Sequence, residues 1–370
     1  MFKPLKIILS AGGTGGHIFP AIAIANFIKH HYSGAEILFI GASGRMEMEK
    51  VPAAGYPIIG LPIAGFQRKW KAENILLPFK IIVSLTKAIS VITRFKPDLV
   101  IGFGGYASGP VLYISSLLGK PTIIQEQNSY AGVTNKILAK RSKAICVAYE
   151  QMEAFFPKSK VVLTGNPVRK DLLKVITDQS DAAKFFGLSA SKKTILVIGG
   201  SLGSLTLNES TKNALSELKR MDIQIIWQTG KSYYQKAVVA SADCKDKIKV
   251  FDFLNRMDLA YAMADIVISR AGALSIAELA VLGKAVILVP SPNVAEDHQT
   301  KNAMALVNKQ AALLVSDSEA RDTLFQTAIQ FIQNDTLIQQ MQKNIQTLAI
   351  TDADKRIVDV AFKYVKRELA

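Results

Sequence analysis

The chain has 370 residues, is 49% hydrophobic, and carries 45 Lys and Arg against 30 Asp and Glu, a formal net charge of +15. Its length and apolar content exclude a disordered chain and exceed what one core usually serves, so two domains are expected. The charge favours an anionic partner, but no Cys/His finger, arginine-rich tail or Lys/Arg stripe with interleaved aromatics is present, which lowers nucleic acid against a membrane surface or a phosphorylated ligand.

In chain order, the opening MFKPLKIILSAGG reaches its glycines too soon for the apolar region and cleavage site of a secretory signal. Strands are expected at 5–10, 36–40, 98–103, 121–125, 144–148 and 160–163. Between the second and third of these, residues 75–95 form an apolar segment interrupted by Pro78, Lys80, Lys87 and Arg94, so no clean membrane span exists. The three basic residues recur every seven, which puts Ile75, Phe79, Ile82, Leu85, Ile89 and Ile92 on the opposite side of a helix. That side either packs on the sheet or, with Arg68, Lys69, Lys71 and Lys96 close by, meets anionic lipid.

A second set of strands is expected at 194–198, 223–228, 248–251, 266–269, 286–289 and 312–315, followed by helices over 321–348. ILSAGGTGGHIFPA and ILVIGGSLGSLTLN begin the two halves alike, as strand, glycine-rich turn and helix. The class is therefore α/β, with two nucleotide-binding-like domains, 1–165 and 166–353, joined near 165–181. The last segment, 354–370, has Ile357, Val358, Ala361, Val365 and Leu369 at helical spacing and is expected to cross back and complete the first domain. Cys146 and Cys244 stand apart, outside any CxxC spacing, so neither a disulfide scaffold nor a zinc site is indicated and a reducing cytoplasm fits.

The two turns carry the first chemical signal. Gly12, Gly13, Gly15 and Gly16 form one, and Gly199, Gly200 and Gly203 with Ser201 the other. Such turns bring backbone N–H groups and a helix start close to an anion, with a tight packing turn that holds no ligand as the lesser alternative. Neither reads GxGxxG and the first lacks a phosphate-loop lysine, so dinucleotide oxidoreduction and ATP hydrolysis lose ground. Other polar candidates gather at strand ends: Gly104, Gly105 and Tyr106, then Glu126 and Asn128, then Asn166 and Arg169. From the second half come Arg270, Gly272, Ala273, Ser275 and Glu278, then Asp297, His298 and Gln299. Ser275 and Glu278 are also spaced as a helix capping box, and His17 reads either as a base or as a cap of the first helix.

SAGGTGGHIFPA, FGGYASGP, QEQNSYAGVTNKILA, TGNPVR, the second GGS turn, SRAGALSIAEL and EDHQTKNA follow one another across nearly the whole chain. In that order they resemble the bacterial peptidoglycan glycosyltransferases that add N-acetylglucosamine to undecaprenyl-diphosphate-N-acetylmuramoyl-pentapeptide. The resemblance implies two Rossmann-like domains facing a central cleft, the GT-B arrangement. It implies UDP-N-acetylglucosamine as donor, with uracil near the backbone of Leu254 and ribose at Glu278. The diphosphate would meet the Ser201 turn and the helix start at Ala273, Leu274 and Ser275, a donor set that also takes in Arg270, Ile276 and Ala277. Gln299 with His298 would orient the sugar, and Thr14, Gly15, Gly16, Asn128 and Arg169 would complete the donor site from the first domain. Leu202 stands where some members of that family carry glutamine, and no role is assigned to it.

The same resemblance brings the acceptor diphosphate to Gly13 through His17 and to Gly104, Gly105 and Tyr106. The reaction it implies inverts the donor carbon and needs one base, His17 or, alternatively, Glu126. The resemblance requires neither a metal nor another cofactor. The expected partners are the lipid-linked acceptor, an anionic membrane surface and proteins of cell-wall synthesis, with no nucleic acid. The expected location is peripheral, on the cytoplasmic face of the bacterial membrane. The competing functions are a non-hydrolysing UDP-sugar epimerase and a non-catalytic nucleotide-sugar-binding protein.

Overall fold

The computed structural model describes residues 4–63, 77–169, 172 and 178–365. Ile75, Arg68, Lys69, Lys71 and Leu369, and most of 170–177, lie outside the described residues. The chain divides into two compact units, Met1–Val168 with Asp352–Ala370, and Arg169–Thr351. Arg169, expected to serve the donor site from the first domain, is thus the first residue of the second unit.

The first unit holds β1 (Lys6–Ser10), β2 (Glu36–Ala42), β3 (Ile58–Leu61), β4 (Leu99–Gly102), β5 (Thr122–Glu126), β6 (Ala144–Val147) and β7 (Val161–Leu163). They form one sheet in the order β3-β2-β1-β4-β5-β6-β7, every neighbouring pair parallel. A parallel sheet is covered on both faces, so its strands are apolar throughout rather than alternating, and Ile7, Ile8 and Leu9 of β1 are all fully buried. The one strand of this sheet that the sequence does not predict is β3. Its four residues, IIGL, lie at the sheet edge and three of them are only half-buried, so they give neither a long apolar run nor a clear alternation.

The second unit holds β8 (Lys193–Ile198), β9 (Ile223–Gln228), β10 (Ile248–Phe251), β11 (Ile266–Ser269), β12 (Ala285–Leu288) and β13 (Leu313–Leu314). Their order, β10-β9-β8-β11-β12-β13, is again wholly parallel. Both sheets therefore reverse direction of growth beside their first strand, between β1 and β4 and between β8 and β11. The loops leaving those two strands must part to opposite faces, and the opening between them is where open α/β sheets take ligands.

Helices cover both faces of each sheet. The closing helix Ala353–Phe362 returns to the first unit, where Ile357, Val358 and Ala361 join Ile7, Leu9 and Ile101 in one buried cluster. Phe362 packs on Tyr32 with ring centroids 4.9 Å apart, beside the helix Gly15–His31. On the other face the helix Leu77–Phe95 buries Ser84, Ala88 and Ile92, with Leu85, Val91 and Phe95 packed around them. The single apolar side read from the sequence is therefore split. Phe79 is 66% exposed, Ile82 59% and Ile89 42%, a stripe at positions i, i+3 and i+10 that stays outside the core. Lys87 does not simply face solvent, because its Nζ donates to the carbonyl of Gly60 at 2.7 Å. No helix among the described residues is long and apolar enough to cross a membrane.

Candidate active site

At the first switch point the chain leaves β1 through Gly12 and Gly13, the latter at φ +89°, and enters the helix Gly15–His31 with Thr14 extended at its start. The loop after β4 lies against this turn. Gly105 has φ +81°, and a Cβ there would collide with the carbonyl of Gly12, so only glycine allows the two loops to touch. A Cβ on Gly104 would stand 3.1 Å from the His17 ring at both Cδ2 and Nε2. Gly12, Gly104, Gly105 and His17 are thus gathered at one place, with Tyr106 exposed at the rim.

His17 is held by its inner nitrogen. Nδ1 lies 3.0 Å from the carbonyl of Gly12 and 3.3 Å from Oγ1 of Thr14. A carbonyl can only accept, so Nδ1 carries the proton and the lone pair of the neutral ring is on Nε2, toward Gly104.

The other candidate base is placed differently. Glu126, buried at the end of β5, accepts from the Asn128 backbone N–H at 3.1 Å and its amide at 3.3 Å through one oxygen. Through the other it accepts from the Gly132 N–H at 3.0 Å and the Asn135 amide at 2.8 Å. Four donors on one buried carboxylate make it the clasp of the loop 127–135, and Asn128 is part of that clasp. Asn166 is likewise tied inward, its amide donating to the carbonyl of Gln127 and its oxygen accepting from Gln125, each at 2.9 Å.

Sequence reasoning missed Glu47. It is fully buried beneath the first glycine turn, accepting from Ala42 N–H at 2.8 Å and Gly13 N–H at 3.1 Å. The amide of Gly13 is therefore committed inward rather than to an acceptor diphosphate. A Cβ on Gly12 would stand 2.5 Å from Glu47 Oε1, a second reason for glycine there. The signal available was an acidic residue just beyond the carboxyl end of β2, ordinary enough in isolation to pass as surface charge.

In the second unit the close approach of loops is on the other side of the first strand, between β8 and β9 rather than at the switch between β8 and β11. Gly203 (φ +78°) and Gly230 (φ +76°) interlock the loops after β8 and β9, since a Cβ on either would strike the other loop's backbone. Ser201 and Leu202 stand exposed at the tip. Ser204 caps the following helix, Leu205–Leu218, by accepting from Leu207 N–H at 3.3 Å.

Beyond β11 the helix Ala273–Val281 starts on Gly272 with no side-chain cap. Ser275 is inside its first turn, so Ser275 and Glu278 do not form a capping box. Glu278 instead accepts from Arg169 Nε at 3.0 Å and from the Tyr261 hydroxyl at 3.3 Å. Burial, and then the Glu278 charge, push the Tyr261 phenol well above its ordinary pKa, so it remains a donor. Tyr261 is a second residue the sequence did not single out. Ala273 and Ile276 bury their side chains in the core, leaving only backbone to meet a ligand, whereas Leu274, Ser275 and Ala277 are half-buried.

Arg270 faces the protein. Its Nη1 donates to the carbonyls of Val289 and Pro290 and lies 2.5 Å from Asp317 Oδ1, so it staples the ends of β11 and β12 together. Leu254 is buried beside an exposed Phe253 at the end of β10. After β12, Glu296 and Asp297 both adopt left-handed backbone, φ 56° and 52°, immediately before the helix His298–Val307. Such strain costs about 1–3 kcal/mol per residue and collects where a loop must aim side chains. His298 Nδ1 donates to Ala295 O at 2.8 Å, and Gln299 Oε1 accepts from Ser291 N–H at 2.9 Å, which orients its amide nitrogen. No group of three or more His, Cys, Asp or Glu side chains suited to a metal occurs among the described residues.

Residues 7–147 match the glycosyltransferase family 28 N-terminal domain and residues 194–357 the glycosyltransferase family 28 C-terminal domain. A Parabacteroides distasonis protein named UDP-N-acetylglucosamine--N-acetylmuramyl-(pentapeptide) pyrophosphoryl-undecaprenol N-acetylglucosamine transferase is 52% identical over 374 residues, covering 99% of this chain and 100% of its own. The crystal structure of Acinetobacter baumannii MurG has a TM-score of 0.78 at 32% identity, covering 97% of this chain and 100% of that one. A UDP-GlcNAc 2-epimerase from Neisseria meningitidis, solved bound to UDP-GlcNAc, has a TM-score of 0.68 at 14% identity, covering 97% of this chain and 100% of its own, a likeness of fold alone.

Proposed function

The chain belongs to glycosyltransferase family 28, and from that premise we propose that it transfers N-acetylglucosamine from UDP-N-acetylglucosamine to the C4 hydroxyl of N-acetylmuramoyl-pentapeptide diphosphoundecaprenol. The product is the β-1,4-linked lipid disaccharide precursor of peptidoglycan, which places the chain in cell-wall synthesis and so in cell shape and division. One observation carries the reading: both family domains match, and a relative of that name aligns from end to end. The epimerase alternative has only a shared fold behind it.

In this reaction the acceptor oxygen attacks the anomeric carbon, the bond from that carbon to the β-phosphate oxygen breaks, and UDP leaves with the electron pair. His17 takes the hydroxyl proton on Nε2, the nitrogen that its bond to Gly12 leaves basic. Glu126, already accepting four hydrogen bonds, is the clasp of its loop rather than the base. The ribose of the donor meets Glu278, the diphosphate meets backbone at the Ser201 turn and at Ala273 to Ser275, and Gln299 orients the sugar. A helix start is suited to the charge that grows on departing UDP. No metal or other cofactor is needed for these steps.

The enzyme works peripherally on the cytoplasmic face of the membrane, with Phe79, Ile82 and Ile89 inserted and Lys80 and Arg94 toward anionic headgroups. Incubation with radiolabelled UDP-N-acetylglucosamine and the lipid-linked acceptor tests the activity. Label should enter the lipid with one UDP released per sugar transferred. Label confined to an isomerised free nucleotide sugar, or binding without turnover, would overturn it.

A further inference from the structure

The peptide group joining Gly12 to Gly13 is bonded at both ends. Its N–H, on Gly13, donates to Glu47 Oε2 at 3.1 Å, and its carbonyl, on Gly12, accepts from His17 Nδ1 at 3.0 Å. Glu47 is fully buried, and its other oxygen is held by Ala42 N–H at 2.8 Å, so the carboxylate has one fixed position. A carboxylate accepting from a peptide N–H draws electron density toward the carbonyl oxygen of that same peptide, making it a stronger acceptor.

We infer that Glu47 is a positioning residue for His17, acting through the Gly12–Gly13 peptide group to fix the ring with Nδ1–H inward and Nε2 toward the reacting hydroxyl. The inference rests on the reading of His17 as the base. It gives the imidazole an orienting carboxylate, as hydrolytic triads do, but with one peptide bond interposed. The sequence hides this relation because Glu47 is 30 residues from His17 and begins the helix that follows a different strand. A buried carboxylate beneath a turn that meets an anionic substrate carries a cost, since its charge opposes phosphate binding there, and orienting the base offsets it. Glu126 is another buried carboxylate of this unit, and the Asn135 amide donates to it at 2.8 Å. Its charge is satisfied within its own loop.

The test uses the full chain with donor and lipid acceptor, comparing His17→Ala, Glu47→Gln and wild type in pH profiles of kcat and kcat/KM. The tautomer of His17 is read from its ring nitrogen shifts by NMR. Glu47→Gln should lower kcat about tenfold with donor KM unchanged. It should also admit the other tautomer and move the acidic limb to lower pH, because a negative charge that favours the imidazolium is gone. If His17→Ala leaves kcat and the acidic limb unchanged, the base reading fails and this inference falls with it. If His17→Ala abolishes turnover while Glu47→Gln keeps the limb, kcat and tautomer of wild type, the base reading stands and the role of Glu47 is overturned. Should Glu47→Gln not fold, Glu47→Asp keeps the charge but is one methylene too short to reach Gly13 and Ala42 together. It should still lower kcat and loosen the tautomer, and wild-type values for both would overturn the inference.

Discussion

Glu278 shows how a residue can be located by the sequence and understood only in the structure. Its spacing from Ser275 fits a capping box, yet the helix begins at Ala273 and the carboxylate reaches Arg169 and Tyr261 instead. The pair with Arg169 is partly exposed, side-chain accessibilities being 45% and 14%, so it contributes at most about 1 kcal/mol to stability. A carboxylate held at modest cost between two donors is ready to exchange one of them for ribose hydroxyls. Glu278→Gln should therefore raise donor KM roughly tenfold or more while the unfolding midpoint stays within a few degrees of wild type. Steady-state kinetics with varied UDP-N-acetylglucosamine, alongside thermal unfolding, check this, and an unchanged donor KM removes Glu278 from the site. The residues the sequence did not reveal, Glu47 and Tyr261, share a cause. Each acts on a partner distant in the chain, and nothing local distinguishes a buried Glu or Tyr from an exposed one.

Among elements, strands buried on both faces were the most legible, because a short apolar run between glycine turns is what a strand covered from both sides requires. The edge strand β3 was not, and the helix Leu77–Phe95 was legible in period but not in orientation. Its apolar residues cover more than half the circumference, and a sequence period cannot say which part meets the sheet. The structure gives the core Ser84, Ala88 and Ile92, small or slim residues that let the helix lie close, and leaves Phe79, Ile82 and Ile89 outside. Complete burial of such a side chain is worth about 1.5–3 kcal/mol, and insertion into lipid would recover the part of it that this partial exposure forgoes. Replacing all three by Ser should lower affinity for anionic vesicles by at least tenfold, with turnover of a short-chain soluble acceptor little changed. Vesicle sedimentation reads the first and the transfer assay the second. Raised salt should weaken the binding further, because it screens the attraction of Lys80 and Arg94 to anionic lipid. Undiminished vesicle binding together with a lowered unfolding temperature would show that these side chains serve the fold.

At the scale of the whole molecule, two parallel sheets with the same order of first strands place their glycine turns in equivalent positions, and this much follows from ILSAGG and ILVIGG each opening a half. The first unit is discontinuous, since it takes its last helix from beyond the second. Ile357 and Val358 of that helix are buried among residues of β1 and β4 and of the helix Gly15–His31, the helix that carries His17. Stability of the first unit therefore depends on chain made after the second. Ile357→Ala should cost about 2–5 kcal/mol, a large share of the roughly 5–15 kcal/mol that holds an ordinary domain. The loss belongs to the first unit. Amide exchange should speed up in β1, β4 and the helix Gly15–His31, and kcat should fall as that unit opens. Donor affinity, which we propose rests on Glu278 and the turn at Ser201 in the second unit, should stay near its wild-type value in a direct titration. Equal loosening of β8 and β11, or a matching loss of donor affinity, would mean that the two units unfold as one and that the closing helix stabilises the chain as a whole.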